Sequence, residues 1–256
     1  MSELSGPHWL VLMGPRGHNL RMRATVQQIL DPESAFWNQV AGGRELSATM
    51  MRLVVFVVTA SALYGAVMAG WRSPTLALYV ALKLPILLLG TTSLVMVLNW
   101  MIASICGAGL SFAQVITLTW SAMAVACFLL LSLIPVALFF TLTAAASDGP
   151  HAELQFTHNC LLVTHIGLIA MAGAAGNMAL VRGLRRLVPQ GCALSPIYAG
   201  WVLSFALVGC QLSWMLRPFV GSPFYPVAFM RPDALDRNFY EFLFTEVMPY
   251  ILFGGR

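Results

Sequence analysis

The chain has 256 residues, 59% of them hydrophobic and only 9% charged, with a formal net charge of +4 at pH 7. A soluble domain carries roughly 25% charged residues, so the composition excludes an ordinary soluble protein and makes lipid the main solvent. The basic residues are all Arg except Lys83, and no basic tract is interleaved with aromatics, which argues against a nucleic-acid partner.

Residues 1–33 are mixed. The run GPHWLVLMGPRG is locally apolar but is broken by Pro7, Gly14, Pro15 and Gly17. It is too short to span and has no small-residue cleavage site after it, so it reads as disordered or loosely docked and not as a signal peptide. From Glu33 to Ser47, Phe36, Trp37 and Val40 share one helical face. With Arg44 and Arg52 nearby, this suits a short amphipathic helix lying at headgroup level and broken at Gly42-Gly43.

The first span is expected at about 51–71, with Ala66 and Gly70 as a small-xxx-small pair that permits close helix packing. Ser73-Pro74 is a turn, and the second span follows at 75–100, making a tight hairpin. Cys106 to Ser111 is a glycine-rich turn. The third span, 112–143, reads as one long, tilted or protruding helix of about 48 Å kinked near Pro135, since no polar turn separates its halves; the alternative is a division into two segments, one re-entrant. A polar loop over 144–155 contains Asp148-Gly149-Pro150. The fourth span, 156–181, is dense in Gly and Ala in its second half, a pattern of close helix contact. The fifth is 197–216, ending at Arg217-Pro218. The remainder is rich in proline and aromatics. NFYEFLFTEVMPYILF carries Glu241 and Glu246 and is interrupted by Pro249, as in an interfacial helix lying on the membrane or packed back on the bundle.

The expected fold is therefore all-α, a polytopic bundle of about five spans. Its parts are an N-terminal interfacial segment (1–48), the transmembrane bundle (49–217) and a C-terminal cap (218–256). Five spans put the termini on opposite sides. Eight Arg on the N-terminal side against five on the other favour a cytoplasmic N-terminus, and the Arg-free loop at Asp148 falls outside.

Lys83 is the chemical anomaly. It lies about eight residues into the second span, roughly 12 Å deep, and a charge at membrane depth costs about 2.5–3.5 kcal/mol on insertion scales. It either faces a pathway for an anion or a proton, or pins the interior. As a pin it would bond a carbonyl freed at Pro85 or a tail carboxylate, Glu241 or Glu246. Asn99, Gln114, Asn177 and Gln211 suit interhelical hydrogen bonds. Arg217 and Arg231 could clamp a lipid phosphate or tie the tail through Asp233, Asp236 or Glu241. The five cysteines contain no CxxC and read as packing residues. His158 and His165 are two helical turns apart, too far for one metal. No GxSxG elbow, Walker A or GxGxxG fingerprint occurs, so no catalytic residue, cofactor or metal site is assigned.

The ordered set Tyr64-Gly65, Lys83-Leu84-Pro85, Leu98-Asn99, Leu110 to Gln114, Ile134-Pro135 with Phe139-Phe140, Gln211, Trp214, Leu216-Arg217-Pro218-Phe219, Gly221-Ser222-Pro223, Phe229 with Arg231, and Asn238-Phe239-Tyr240 resembles a family of uncharacterised bacterial multi-pass membrane proteins. The resemblance covers most of the chain after residue 34, and its LRPF-GSP and NFY elements are its most specific parts. It implies a membrane bundle in a bacterial cytoplasmic membrane and no particular activity. More loosely, five spans with an inside N-terminus are similar to the Yip1 family of membrane-shaping proteins. The expected role is a non-enzymatic scaffold, anchor or subunit in contact with membrane lipids and with other membrane proteins or copies of itself. The alternatives are a small channel or transporter using Lys83 and a lipid-headgroup-binding protein using Arg217 and Arg231.

Overall fold

The computed structural model describes residues 25–31, 33–144 and 151–253. These residues are all-helical, with five helices long and apolar enough to cross a membrane. A short helix α1 (Ala35–Ala41) precedes the spans α2 (Leu46–Ala69), α3 (Pro74–Ile105) and α4 (Phe112–Ser132). Helix α5 (Ile134–Leu142) continues from α4, and the last two spans are α6 (His151–Leu187) and α7 (Leu194–Leu216). In the cap, α8 (Phe239–Phe242) leads through a π-helical turn (Leu243–Val247) into α9 (Met248–Phe253).

The main packing pairs are α2 with α3, α4 with α6, α2 with α4 and α3 with α7. This gives a curled row, α6–α4–α2–α3–α7. Helix α4, held between α6 and α2, is 61% buried over its apolar window and the edge helix α7 only 11%. Because α4 is enclosed, its polar groups are satisfied within the helix: Thr117, Thr119 and Ser121 hydroxyls donate to the carbonyls of Ala113, Val115 and Thr117.

The α2–α3 hairpin follows from local chemistry. Ser73 is an extended N-cap whose Oγ accepts from the Leu76 N–H at 3.1 Å, and Pro74 occupies the first helical turn, where a missing N–H is harmless. Inside the bundle, Gly65 of α2 lies directly against the backbone of α3. A Cβ there would stand 2.6 Å from the Val80 carbonyl oxygen.

Several expectations need correction. The long third span is divided at Leu133, two residues before Pro135. A proline ring clashes with the carbonyl of the residue four back and offers no N–H, so the ladder ends on Leu133, whose N–H donates to both Leu129 and Leu130. The extra length lies instead in α3, 32 residues, and α6, 37 residues. The latter starts at His151, before the expected boundary. Its small residues are split in use. Gly176 faces the Ala122 carbonyl of α4 and Gly183 faces Leu118 and Trp37, whereas Gly167 and Gly173 face open space.

The N-terminal segment is also more tightly held than expected. Val26 and Ile29 are core residues. Phe36, Trp37 and Val40 turn inward and pack in the core of the bundle, and Trp37 Nε1 donates to the Ile29 carbonyl. The expectations for residues 1–24 and for the Asp148-Gly149-Pro150 loop lie outside the described residues.

Gln114 is the fastening point. Its Oε1 accepts from the Ser111 N–H while Ser111 Oγ accepts from the Gln114 N–H, a capping box at the start of α4. Its Nε2 donates to the carbonyls of Val40 and Ala41, both at 3.1 Å, which ends α1 on α4. Gln114→Ala removes both the box and the tie. The expected loss is about 1–2 kcal/mol, read as a lowered melting temperature in detergent together with faster proteolysis of the segment preceding α2.

Candidate functional site

The polar residues singled out from the sequence separate into two groups. Gln114, Asn99 and Asn177 lie away from the cap, Asn177 donating to the Gly173 carbonyl and accepting from the Tyr198 hydroxyl, whereas Lys83, Gln211, Arg217, Arg231, Asn238 and Tyr240 meet at the junction between the bundle and the C-terminal cap. Asn99 is buried between α3 and α7. Its Oδ1 accepts from Ser204 Oγ at 2.7 Å, and its main-chain carbonyl accepts from Trp201 Nε1 at 2.8 Å.

At the junction, Lys83 is completely buried. Its Nζ donates to the Pro218 carbonyl at 2.9 Å and lies 5.1 Å and 5.9 Å from the ring centres of Phe229 and Phe219. The partner is therefore a cap carbonyl, not the one released at Pro85 and not a tail carboxylate. Glu246 is engaged by Arg237. A proline carbonyl suits the task. An ammonium needs acceptors when desolvated, and a carbonyl supplies one without burying a second charge.

Two neighbouring donors use the same strip of chain. Trp71 Nε1 donates to the Val220 carbonyl at 2.8 Å, and an Arg72 N–H donates to the Pro223 carbonyl at 3.4 Å. Gly221 has φ +78°, and a Cβ on it would meet Leu76 Cδ2 at 2.3 Å. The LRPF-GSP motif thus acts as a strap: its carbonyls face donors at the α2–α3 turn, and its glycine allows close approach. The Arg217-Pro218 peptide is cis. Phe229 sits edge-on to Tyr79, one helical turn before Lys83, which encloses the ammonium in aromatic surface.

The NFY motif fastens the distal end of the cap. Asn238 Oδ1 caps α8 by accepting from the Glu241 N–H at 2.7 Å. The Phe239 N–H donates to Gln211 Oε1 at 3.0 Å, and the Tyr240 hydroxyl donates to the Leu207 carbonyl of α7. Trp214 Nε1 donates to the Arg237 carbonyl, and the Trp214 ring carries the Arg217 guanidinium 3.4 Å from its centre. Arg217 also pairs with Asp233 at 3.1 Å, which is the structural tie foreseen for it. Arg231 is different. Its guanidinium lies over Tyr225 at 5.0 Å and forms no ion pair among the described residues.

A buried pair that the sequence did not single out joins α2 to α6. Tyr64 Oη and His165 Nδ1 are 2.9 Å apart, both nearly inaccessible. Sequence pattern alone does not connect two residues 101 positions apart, although each is a polar side chain in an apolar run. Tyr64→Phe keeps the ring packing and leaves the imidazole unpaired. Loss of about 1–3 kcal/mol of stability is expected, measured by thermal denaturation in detergent, with a Tyr64→Phe/His165→Leu double variant recovering part of it.

No group of three or more His, Cys, Asp or Glu suited to a metal is present among the described residues. All five cysteines are free thiols, and Cys192 Sγ donates to the Cys106 carbonyl. No protein-family model, curated protein or solved structure matches the chain.

Proposed function

We propose that this chain is a non-enzymatic integral membrane component, a scaffold or anchor within a larger assembly, that presents its C-terminal cap to other membrane proteins. One observation carries the reading. The cap is fastened along its length by Lys83, Trp71, Arg72, Trp214 and Gln211, yet it displays Leu235, Phe244, Tyr250, Ile251 and Leu252 at 64–71% exposure. A rigid element bearing a large apolar display suits protein contact at the membrane surface. The burial of Lys83 under two aromatic rings supports a pin over a channel or transporter residue, which would need contact with water.

We place the protein in a bacterial cytoplasmic membrane with the N-terminal end inside. Supporting this, Arg182 and Arg186 lie at the same end as the N-terminal segment, bonded to Leu30 and Asn38. Purification in mild detergent with chemical crosslinking tests the assignment. A stoichiometric membrane partner or a self-associated complex, lost when Phe244, Ile251 and Leu252 are replaced by Ser, is the expected result. A lone monomer with no crosslinked species would reject it.

A further inference from the structure

Helix α6 packs mainly on α4, not on α3 or α7. A groove of about 540 Å³ lies between α6 and α3. Leu130 and Met68 line its floor, and the cap residues Phe219 to Ser222 line its roofed end. This volume is in the range of small-molecule sites, roughly 300–1,000 Å³. Three of its wall residues, Leu162, Ile166 and Ile169, are 39%, 58% and 41% exposed in the middle portion of a membrane span. The mouth therefore opens sideways to hydrocarbon, and whatever fills the groove enters from the bilayer.

The roofed end has the opposite chemistry. The groove lining includes Arg217, Arg231, His158 and His165 and no carboxylate. Arg217 is already matched by Asp233, but among the described residues its buried Nε has no hydrogen-bond partner, nor has His158 Nδ1. Among the described residues the Arg231 guanidinium meets only the Tyr225 ring. On its far side a second cavity of about 370 Å³ is lined by Arg231, Ser222, Arg72 and Asp233, and the Arg72 Nε is also buried without a partner. Arg231, Gly221 and Ser222 border both cavities.

An apolar trough open to the lipid, ending in the Arg231 guanidinium and the unpaired donors beside it, complements one kind of molecule. We propose that the groove holds an anionic glycerophospholipid. An acyl chain lies between α3 and α6, the phosphate is bound by Arg231 with Arg217 and His158 behind it, and the headgroup enters the smaller cavity. The site is independent of any protein partner of the cap. It differs from generic annular lipid because it sets one phosphate against a guanidinium lacking a carboxylate partner.

Full-length protein in detergent provides the test, with phosphatidylglycerol, phosphatidylcholine and soluble glycerol 3-phosphate as probes. Native mass spectrometry and melting temperature are the readouts. Phosphatidylglycerol is expected to remain bound and to raise the melting temperature, phosphatidylcholine to do so at least about tenfold less well, and glycerol 3-phosphate not at all. Arg231→Gln is expected to weaken phosphatidylglycerol retention by about tenfold or more. Ile166→Trp, at a lipid-facing position, should weaken it by filling the mouth while leaving the charges intact. The lipid-free melting temperature of each variant identifies any that misfolds, and the wild-type probe series decides independently of both. Equal retention of the two lipids, an equal effect of glycerol 3-phosphate, or unchanged retention in both folded variants overturns the proposal.

Discussion

Replacing Lys83 by Met is expected to free the strap from the bundle without unfolding the bundle itself. Met keeps most of the aliphatic stem, so packing around Val80 and Leu84 changes little. What disappears is the 2.9 Å bond to the Pro218 carbonyl and the ammonium held near Phe219 and Phe229. An acceptor left unpaired is penalised by about 1–3 kcal/mol, and a desolvated cation–π contact adds up to about 2 kcal/mol. Against this stands the relief of no longer burying a charge, which often makes an apolar replacement neutral for the fold as a whole. The two effects act on different parts. Relief from desolvation belongs to α3, whereas the lost bond belongs to the cap. The expected signature is therefore a melting temperature close to wild type together with chymotrypsin cleavage after Phe219 and Phe229 about ten to a hundred times faster, since cleavage tracks the opened population. The Asn238 cap and the Gln211 bond lie farther along the chain, so cleavage within α8 should stay slow. Unchanged cleavage at Phe219 and Phe229 would remove Lys83 from the role of pin.

Much of this architecture was legible in the chain, for specific physical reasons. Spans are readable because a bilayer demands about 20 apolar residues in succession, and Lys83 stood out because nothing else like it occurs within that run. The pairing of Lys83 was not readable. Carboxylates attract attention as partners for an amine, but the acceptor is a backbone carbonyl, and every residue has one. LRPF-GSP could be recognised as unusual, yet its function as a strap depends on Trp71, Arg72 and Lys83 reaching across from a different hairpin. Sequence leaves the division at Leu133 open as the second reading, because Pro135 can either kink a helix or end it, and only the packing around it decides. Likewise the glycines of α6 look equivalent in sequence, although Gly176 and Gly183 are in close contact and Gly167 and Gly173 are not. The groove beneath the cap had no sequence signal beyond Arg217 and Arg231, since its walls are ordinary Leu and Ile.

Gly65→Ala is expected to be the most disruptive single-methyl change in the bundle. The added Cβ would lie 2.6 Å from the Val80 carbonyl oxygen and 3.0 Å from its carbon. These are backbone atoms in a helix interior, so no rotamer change can absorb the overlap. The two helices must separate instead. Overpacking of this kind costs typically about 1–3 kcal/mol, and membrane helices rely on close backbone approach because lipid offers little hydrophobic drive for their association. Ala is also the better helix former by about 1 kcal/mol, an opposing gain that the clash has to exceed for the variant to be destabilised. Gly167→Ala supplies that gain alone, because its Cβ would meet nothing within 4 Å. The pair of variants thus isolates the contact: Gly167→Ala should melt at or above the wild-type temperature and Gly65→Ala well below it. The displacement should also spread. Tyr64 precedes Gly65 and holds His165, while Val80 lies one turn before Lys83 on α3, so moving α2 from α3 disturbs both the buried pair and the anchor of the strap. Gly65→Ala should therefore combine lower stability with the faster Phe219 and Phe229 cleavage expected of Lys83→Met, whereas Lys83→Met shows only the second. Equal melting of the two glycine variants would mean that the α2–α3 contact is looser than its geometry indicates.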